Sequence, residues 1–240
     1  MLTRRALVKN VILSGIAVRN VPDWVPPEEG STFLFQGDSI TDGNRSRNLD
    51  WNHVLGHGYV YLIASRLWCD HPSRGYHFFN RGVSGNKVTD LAARWKEDVM
   101  DIKPRLLSIL VGVNDVNSMF NNSDPVTADR FRKVYAGLLT RTREQLPDTR
   151  IVLCEPFLLP VGKVKDQWEA WSAEMKMRQT VVRELAVQFH AIFVPLQEEF
   201  DKACKKASPD YWIWDGIHPM PGGHELIARK WIRVVGGQWR

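Results

Sequence analysis

Residues 33–43 read FLFQGDSITDG, and this stretch decides how the rest of the chain is interpreted. Three apolar residues and a glutamine run into a glycine, an aspartate and Ser39. A buried strand therefore ends abruptly at a small hydroxyl side chain that stands among glycines and acidic residues. Ser39 is either the cap of a following helix or turn, or a nucleophile. A nucleophile requires a base, an orienting acid and oxyanion donors elsewhere in the chain.

Four more short apolar runs follow the first, separated by segments with helical periodicity. The five predicted strands cover residues 32–36, 77–80, 106–111, 151–155 and 192–194. Each run is apolar on both faces, which is typical of parallel strands covered by helices on both sides. We therefore predict an α/β fold, a three-layer α/β/α sandwich around a central parallel sheet of about five strands.

The bulk composition favours one large globular domain. A chain of 240 residues buries a full core, and 44% hydrophobic with 25% charged residues is ordinary for such a domain. Cys69, Cys154 and Cys204 lie far apart, so the sequence predicts neither a disulfide framework nor a redox pair. The net charge of +5 comes from scattered basic residues without a nucleic-acid-binding motif, so we expect no nucleic-acid partner.

The first 30 residues are predicted to form an N-terminal segment and linker ahead of a domain that spans residues 31–240. Arg4 and Arg5 precede a short apolar run, a pattern that resembles a twin-arginine export signal. No small-residue cleavage site follows, so a surface-docked segment is the alternative. Export to the periplasm and retention in the cytoplasm both stay open. No other stretch approaches the ~20 apolar residues of a membrane span, and we expect none.

The polar residues that follow the predicted strands share one edge of the sheet. In open α/β sheets, ligands bind beyond the carboxyl ends of the strands. Ser39 follows the first strand, Gly85 the second and Asn114 the third, while Asp215 and His218 follow the fifth at a distance. Together they supply every role in an acyl-transfer site: nucleophile, base, orienting acid and oxyanion donors.

Asp215 and His218 form the most informative pair. A carboxylate three residues before a histidine can accept a hydrogen bond from its Nδ1, which leaves Nε2 free for a serine. The alternative is a polar loop that leads into a C-terminal helix starting near Gly222. His224, the nearest rival base, is predicted inside the first turn of that helix.

The candidate oxyanion donors also have ordinary alternatives. The Asn114 amide could donate to an oxyanion or hold a turn. No side chain obstructs the main-chain N–H of Gly85, yet the glycine could equally serve a turn with positive φ. The main-chain N–H of Ser39 completes the set.

A metal site is the competing interpretation of the histidines. His53 and His57 have a spacing that suits a metal, but the glutamate of the H-E-x-x-H motif is missing. The phosphate-binding motifs G-x-x-x-x-G-K-[ST] and G-x-G-x-x-G do not occur. We predict no metal and no cofactor.

Four blocks of the chain resemble the SGNH hydrolase superfamily, also called GDSL esterases, and they stand in the family's order. The blocks are GDSIT at 37–41, NRGVSGNKV at 80–88, VGVND at 111–115 and DGIHP at 215–219. The resemblance implies a flavodoxin-like fold and a metal-free serine mechanism with Ser39, Asp215 and His218. It also implies an oxyanion hole made by Ser39, Gly85 and Asn114. Isoleucine replaces the leucine of the family name, an apolar exchange without consequence.

A narrower resemblance concerns the substrate. The segments GDSITDGNRSR, LGHGYV and NRGVSGNKVTDLAARWKEDV are similar to bacterial acetylxylan esterases of the superfamily. That implies a small ester or acetylated oligosaccharide, such as acetylated xylo-oligosaccharide, as the partner. The alternatives are a lysophospholipase or thioesterase of the same superfamily, and a non-catalytic carbohydrate-binding protein. Association into a homo-oligomer is also allowed.

Tryptophans beside the predicted site favour a sugar. Trp51, Trp212 and Trp214 can stack on sugar faces, although core packing is the commoner use of tryptophan. Asp38, beside Ser39, is a further candidate substrate contact. The loops after Ser39 and Asn114 are polar and offer no apolar trough for a long acyl chain, so we expect short acyl groups.

Overall fold

Five parallel strands form one sheet in the computed structural model, which describes residues 27–48, 52–121 and 124–236. The strands are β1 Thr32–Gly37, β2 His77–Asn80, β3 Leu106–Leu110, β4 Arg150–Cys154 and β5 Ile192–Val194. They lie in the order β2-β1-β3-β4-β5. The predicted strands are confirmed, with ends that differ by one residue at most.

Helices follow each strand, as the alternating pattern predicts. They are α1 Ser39–Asp42, α2 Tyr59–Asp70, α3 Val88–Ala93, α4 Val113–Asn117, α5 Ala128–Gln145, α6 Trp168–Gln188, α7 Gln197–Ala203, α8 Pro209–Trp212 and α9 Pro221–Gly236. Short 3₁₀ turns lie at Pro72–Arg74 and Gly162–Gln167, and a π-helical turn lies at Lys96–Met100.

Alternate residues of the central strands enter two separate hydrophobic cores. In β1, Phe33 and Phe35 pack into the core that contains α2 and α9, whereas Leu34 packs into the core with α3, α5 and α6. Because both faces are covered by helices, the central strands carry continuous apolar runs instead of an alternating pattern. The predicted three-layer α/β/α sandwich is confirmed.

β2, one of the two edge strands of the sheet, has one face exposed. Phe78 and Asn80 are buried, whereas His77 and Phe79 are exposed. The expectation that every strand is covered on both faces is therefore wrong for β2. Its second face is open to solvent.

The strand order places β2 and β3 on the two sides of β1, which is the switch point of the flavodoxin-like order. Gly37 at the end of β1 pairs with Leu110 at the end of β3. The Val83 N–H donates to the Gly37 carbonyl at 3.1 Å, so the loop after β2 returns to the same place. The segments that follow β1, β2 and β3 thus meet at the carboxyl end of β1. These segments carry Ser39, Gly85 and Asn114.

The predictions for the N-terminus fall mostly outside the described residues. Arg4, Arg5 and residues 1–26 as a whole are among those not described, so export and the division at residue 30 stay predictions. Among the helices of the described residues, none has the length and apolarity needed to cross a bilayer.

Candidate active site

Ser39 opens helix α1, but it is not the residue that caps the helix. Asp38 is the N-cap, with extended backbone, and its Oδ1 accepts the Ile40 N–H at 3.0 Å. The Ser39 hydroxyl is therefore free for another partner. Its Oγ lies 2.8 Å from Nε2 of His218, 179 residues further along the chain.

His218 is held by Asp215 through both its ring and its backbone. Oδ2 of Asp215 lies 2.7 Å from His218 Nδ1, and Oδ1 accepts the N–H groups of His218 at 2.7 Å and Ile217 at 3.0 Å. Burial alone would raise the pKa of Asp215, but the hydrogen bonds from His218 and Ile217 outweigh it and lower that pKa to about 2. Asp215 is thus ionised and accepts only, so Nδ1 carries the proton and Nε2 accepts from Ser39.

Two glycines allow close packing around the turn that contains Asp215 and His218: Gly216 within the turn and Gly162 against it. Gly216 has a φ of +90°, and a side chain there would meet the Val161 carbonyl at 2.5 Å. At Gly162, a Cβ would lie 2.4 Å from the Cα of Asp215. Lys163 adds a hydrogen bond from its N–H to the Asp215 carbonyl at 3.2 Å, and its Nζ lies 3.7 Å from Oδ2. The sequence did not single out Gly162 and Lys163, because nothing local connects them to a residue more than 50 positions away.

The three candidate oxyanion donors lie on segments that contact one another. The main-chain N–H groups of Ser39 and Gly85 donate to no other group in the described part of the chain. Gly85 has a φ of +84°, so the turn with positive φ is present, and its role as an oxyanion donor stays a prediction. Asn114 uses one amide N–H to bind the Asn86 carbonyl at 3.2 Å, which leaves its second N–H available.

Two charged side chains that the sequence did not single out hold the loop around Gly85. Buried Asp42 accepts the N–H and the hydroxyl of Ser84, both at 3.1 Å. Arg94 donates to the Asn86 side-chain oxygen at 2.9 Å and to the Arg81 carbonyl at 2.8 Å. The residues on either side of Gly85 are therefore fixed by ionic hydrogen bonds.

Asp38 is buried, which changes the role expected for it. Only 1% of the residue is exposed, and burial raises its pKa to about 7. Asp115, next to Asn114, is equally enclosed; burial likewise raises its pKa to about 7, and Oδ1 accepts the Val88 N–H at 3.0 Å. This geometry assigns Asp38 to the cap of α1 instead of to a substrate contact.

The predicted aromatic contacts divide into three cases. Trp214 is 61% exposed, and its ring lies 6.2 Å from the His218 ring at an interplanar angle of 23°. Trp212 is half-buried against Tyr211 and the core, so its face is less available. Trp51 lies outside the described residues. Trp214 is thus the described tryptophan best placed to meet a ligand.

Three further histidines were candidates for a metal site or a rival base. His53 and His57 lie in turns before α2 and not on a helix, so the helical spacing that would suit a metal is absent. Among the described residues no group of three or more His, Cys, Asp or Glu side chains is placed to hold a metal ion. Nδ1 of buried His224 accepts the Tyr59 N–H at 3.2 Å and so caps α2, whose own N-cap is Gly58.

The cap formed by His224 gives a prediction for stability against pH. Burial lowers the pKa of His224 to about 4, so the unfolded chain takes up the proton first as the pH falls below the ordinary value of about 6.5. The His224 contribution to the free energy of unfolding should therefore be lost between about pH 6.5 and pH 4, by about 3 kcal/mol. Urea unfolding of the wild type and of His224→Asn, which keeps an acceptor, measures the difference. Parallel curves for the two proteins across this range would refute the assignment.

The chain has close relatives over most of its length. Residues 35–226 match the GDSL-like Lipase/Acylhydrolase family. An acetylxylan esterase from Geobacillus stearothermophilus is 33% identical over 222 residues, which are 88% of this chain and 96% of that one. A GDSL-like lipase from Parabacteroides merdae has a TM-score of 0.84 and 38% identity, covering 88% of this chain and 98% of its own.

The solved structures of the Geobacillus stearothermophilus enzyme are also similar. Its crystal structure has a TM-score of 0.78 and 33% identity, covering 88% of this chain and 97% of that one. Catalytic mutants of that enzyme have been solved with a serine, an aspartate or a histidine replaced by alanine. Its aspartate and histidine lie three positions apart.

Proposed function

This chain belongs to the GDSL-like lipase/acylhydrolase family and is a carboxylic ester hydrolase, and on that premise we propose that it removes short acyl groups, above all acetyl, from carbohydrate. The proposed reaction passes through an acyl-serine intermediate on Ser39. The observation that carries the proposal is the continuous hydrogen-bonded chain from Ser39 through His218 to Asp215, with steps of 2.8 and 2.7 Å. The catalytic mutants of the related esterase, which alter the same three residue types, support the same roles here.

In the first half of the reaction, Ser39 attacks the ester carbonyl. His218 Nε2 takes the hydroxyl proton as the Oγ–carbon bond forms. The imidazolium that results is stabilised by the ionised Asp215 carboxylate at Nδ1. His218 then gives the proton to the leaving sugar oxygen, which departs as an alcohol and leaves the acyl group on Ser39.

The negative charge that develops on the carbonyl oxygen needs donors that are already in place. The free N–H groups of Ser39 and Gly85 and the second amide N–H of Asn114 supply them. Because these donors are fixed before the reaction, little reorganisation is needed at the transition state. In the second half, a water activated by His218 repeats the attack and releases the acid.

Asn114 provides a specific test of the oxyanion hole. Replacing it by alanine should lower kcat by roughly 10²- to 10³-fold with a smaller effect on KM, because the donor acts mainly in the transition state. Asn117→Ala, on the same short helix, is the matched control and should retain activity. A change confined to KM would show that Asn114 only binds substrate or holds a turn.

The carbohydrate part of the proposal rests on Trp214 and on the related acetylxylan esterase. An exposed indole beside the candidate base offers an apolar face on which a sugar ring can stack. The related enzyme that acts on acetylated xylan is similar over 88% of the chain. The test is acetate release from a panel of acetylated xylo-oligosaccharides. If the enzyme cleaves p-nitrophenyl acetate but releases no acetate from any member of the panel, carbohydrate is not its substrate.

The length of the acyl chain separates this proposal from a lysophospholipase or thioesterase activity. We expect kcat/KM to be highest for p-nitrophenyl acetate and to fall steeply beyond butyrate, because a long chain needs an enclosed apolar trough. The test is to compare kcat/KM for p-nitrophenyl acetate, butyrate, octanoate and palmitate. The Ser39→Ala protein gives the background rate. A maximum at octanoate or palmitate would favour the lipid substrate instead.

A further inference from the structure

An open cavity of about 410 Å³ lies along the exposed edge of the sheet, outside the site described above. Trp68, Tyr76, Phe78 and Phe79 give it an aromatic lining, and arginines at 45, 47 and 81 lie at one end. Trp68 and Phe79 are each 37% exposed, so two aromatic faces are open to a ligand. No acidic side chain occurs among the described residues that line the cavity.

Two of these arginines have hydrogen-bond donors left over. Arg45 uses Nε to bind the Gly82 carbonyl at 3.0 Å, and its terminal nitrogens bind no acceptor in the part of the chain that the structure describes. The Nε of Arg81 is buried without a hydrogen-bond partner among those residues, and the nearest carboxylate oxygen, on Asp98, is 3.8 Å away. Arg81 also lies over the Phe79 ring at 5.7 Å. A guanidinium group offers five donors in a planar fork that matches a carboxylate.

The local charge is unbalanced. Asp42 pairs with Arg47, and Asp98 pairs with both Arg94 and Arg81. With Arg45 added, four arginines face two carboxylates, so the group carries an excess of positive charge. Burial, followed by repulsion from Arg47, lowers the pKa of Arg45 to about 10. Excess positive charge on partly buried side chains is costly, and an anion in the cavity would relieve that cost.

We propose that this cavity is a subsite for a sugar that carries a carboxylate, with Arg81 and Arg45 as its donors. A uronic acid has the two features that the cavity complements. Its carboxylate can accept from the two guanidinium groups, and its ring can stack on the open face of Phe79 or Trp68. A neutral sugar would leave the excess positive charge uncompensated, and a bare inorganic anion would leave the aromatic faces uncovered.

The cavity adjoins the candidate active site through one short segment. Arg81, which lines the cavity, and Gly82, whose carbonyl accepts from Arg45, belong to the same loop as Gly85. Asp42 binds Arg47 on the cavity side and Ser84 on the oxyanion side. An acidic branch bound here would therefore belong to the same oligosaccharide whose acetyl group meets Ser39. This last step rests on the proposed function, whereas the binding itself does not.

Direct titration tests the subsite without any turnover. D-glucuronate, D-glucose and inorganic sulfate are titrated into the full chain and followed by NMR or calorimetry. We expect saturable glucuronate binding that weakens as salt is added, weaker sulfate binding and no glucose binding at this cavity. Equal affinity for sulfate and glucuronate, or no saturable glucuronate binding, would overturn the proposal.

Variants locate the binding. Arg81→Gln should weaken glucuronate binding by about tenfold or more, since it removes a charged donor. Arg81→Lys keeps the charge but not the planar fork, so its affinity for glucuronate should lie between those of the wild type and Arg81→Gln. Arg45→Gln is a second, independent variant. Arg141→Gln is the charge-matched control on α5, and thermal melting verifies that each variant is folded. Wild-type glucuronate affinity in Arg81→Gln and Arg45→Gln would refute the assignment.

Turnover then connects the subsite to the substrate. We expect kcat/KM for an acetylated xylo-oligosaccharide with a glucuronate branch to exceed that for the neutral oligosaccharide, and Arg81→Gln to remove the preference. Equal values for the two substrates in the wild type would overturn the link to the substrate. If neither is deacetylated, the proposed function fails while the glucuronate titration still decides whether the subsite exists.

Discussion

Replacing Ser39 by alanine is expected to lower kcat for p-nitrophenyl acetate by ~10⁴-fold or more. The hydroxyl is the proposed nucleophile, and its hydrogen bond in the structure is the one to His218. The fold should persist, because Asp38 and not Ser39 caps helix α1. Steady-state kinetics together with thermal unfolding measures both halves of the expectation.

Ser172→Ala is the matched control for that experiment. Ser172 lies on α6, where its hydroxyl donates to the Glu169 carbonyl at 3.1 Å, and its loss should leave kcat near the wild-type value. Turnover by Ser39→Ala close to that of the wild type would remove Ser39 from the mechanism. An unfolded Ser39→Ala protein would instead show that the hydroxyl has a structural role that the hydrogen bonds do not reveal.

Replacing Asp215 by asparagine is expected to lower kcat by about 10⁴-fold, although the side chain keeps its shape. Oδ1 would still accept the N–H groups of Ile217 and His218. An amide NH₂ would then face Nδ1, so the histidine would carry its proton on Nε2 and could no longer accept from Ser39. The variant should therefore retain its structure while holding the imidazole in the wrong tautomer.

The pH dependence separates the contribution of Asp215 to stability from its role in orienting His218. Because its folded pKa of about 2 lies below the ordinary carboxyl value, its contribution to stability is present above about pH 4 and is lost as the pH falls through 2. Asp215 therefore stays ionised wherever the enzyme is assayed near neutrality. A fall in activity of the wild type on mild acidification therefore cannot come from protonation of Asp215. Full activity of Asp215→Asn at neutral pH would contradict the orienting role.

Ser39, Gly85 and Asn114 could be selected from the sequence because each closely follows a strand. The strands carry unmistakable apolar runs, and parallel strands all end at one edge of the sheet. Ser39, Gly85 and Asn114 therefore had to be neighbours if the strands were right. The residues Asp215 and His218 are separated from β5, but their spacing alone lets one orient the other.

The supporting residues could not be predicted in the same way. Gly162 and Lys163 reach Asp215 only through the tertiary fold, and Arg94 binds the Asn86 loop from the end of a different element. Arginine and lysine on a helix or turn are usually solvated, so nothing in the local pattern sets these apart. The burial of Asp38 was missed for the opposite reason, since an aspartate beside a nucleophile suggests a ligand contact before it suggests a helix cap.

The most direct test of the account is the covalent intermediate itself. The protein is mixed with p-nitrophenyl acetate, quenched in acid at short times, and analysed by intact mass and peptide mapping. We expect one added acetyl group during turnover, located on Ser39, and none in Ser39→Ala. Turnover without any acetylated protein in the wild type or in a variant with slowed deacylation, or an acetyl group on another residue required for activity, would contradict the acyl-serine mechanism.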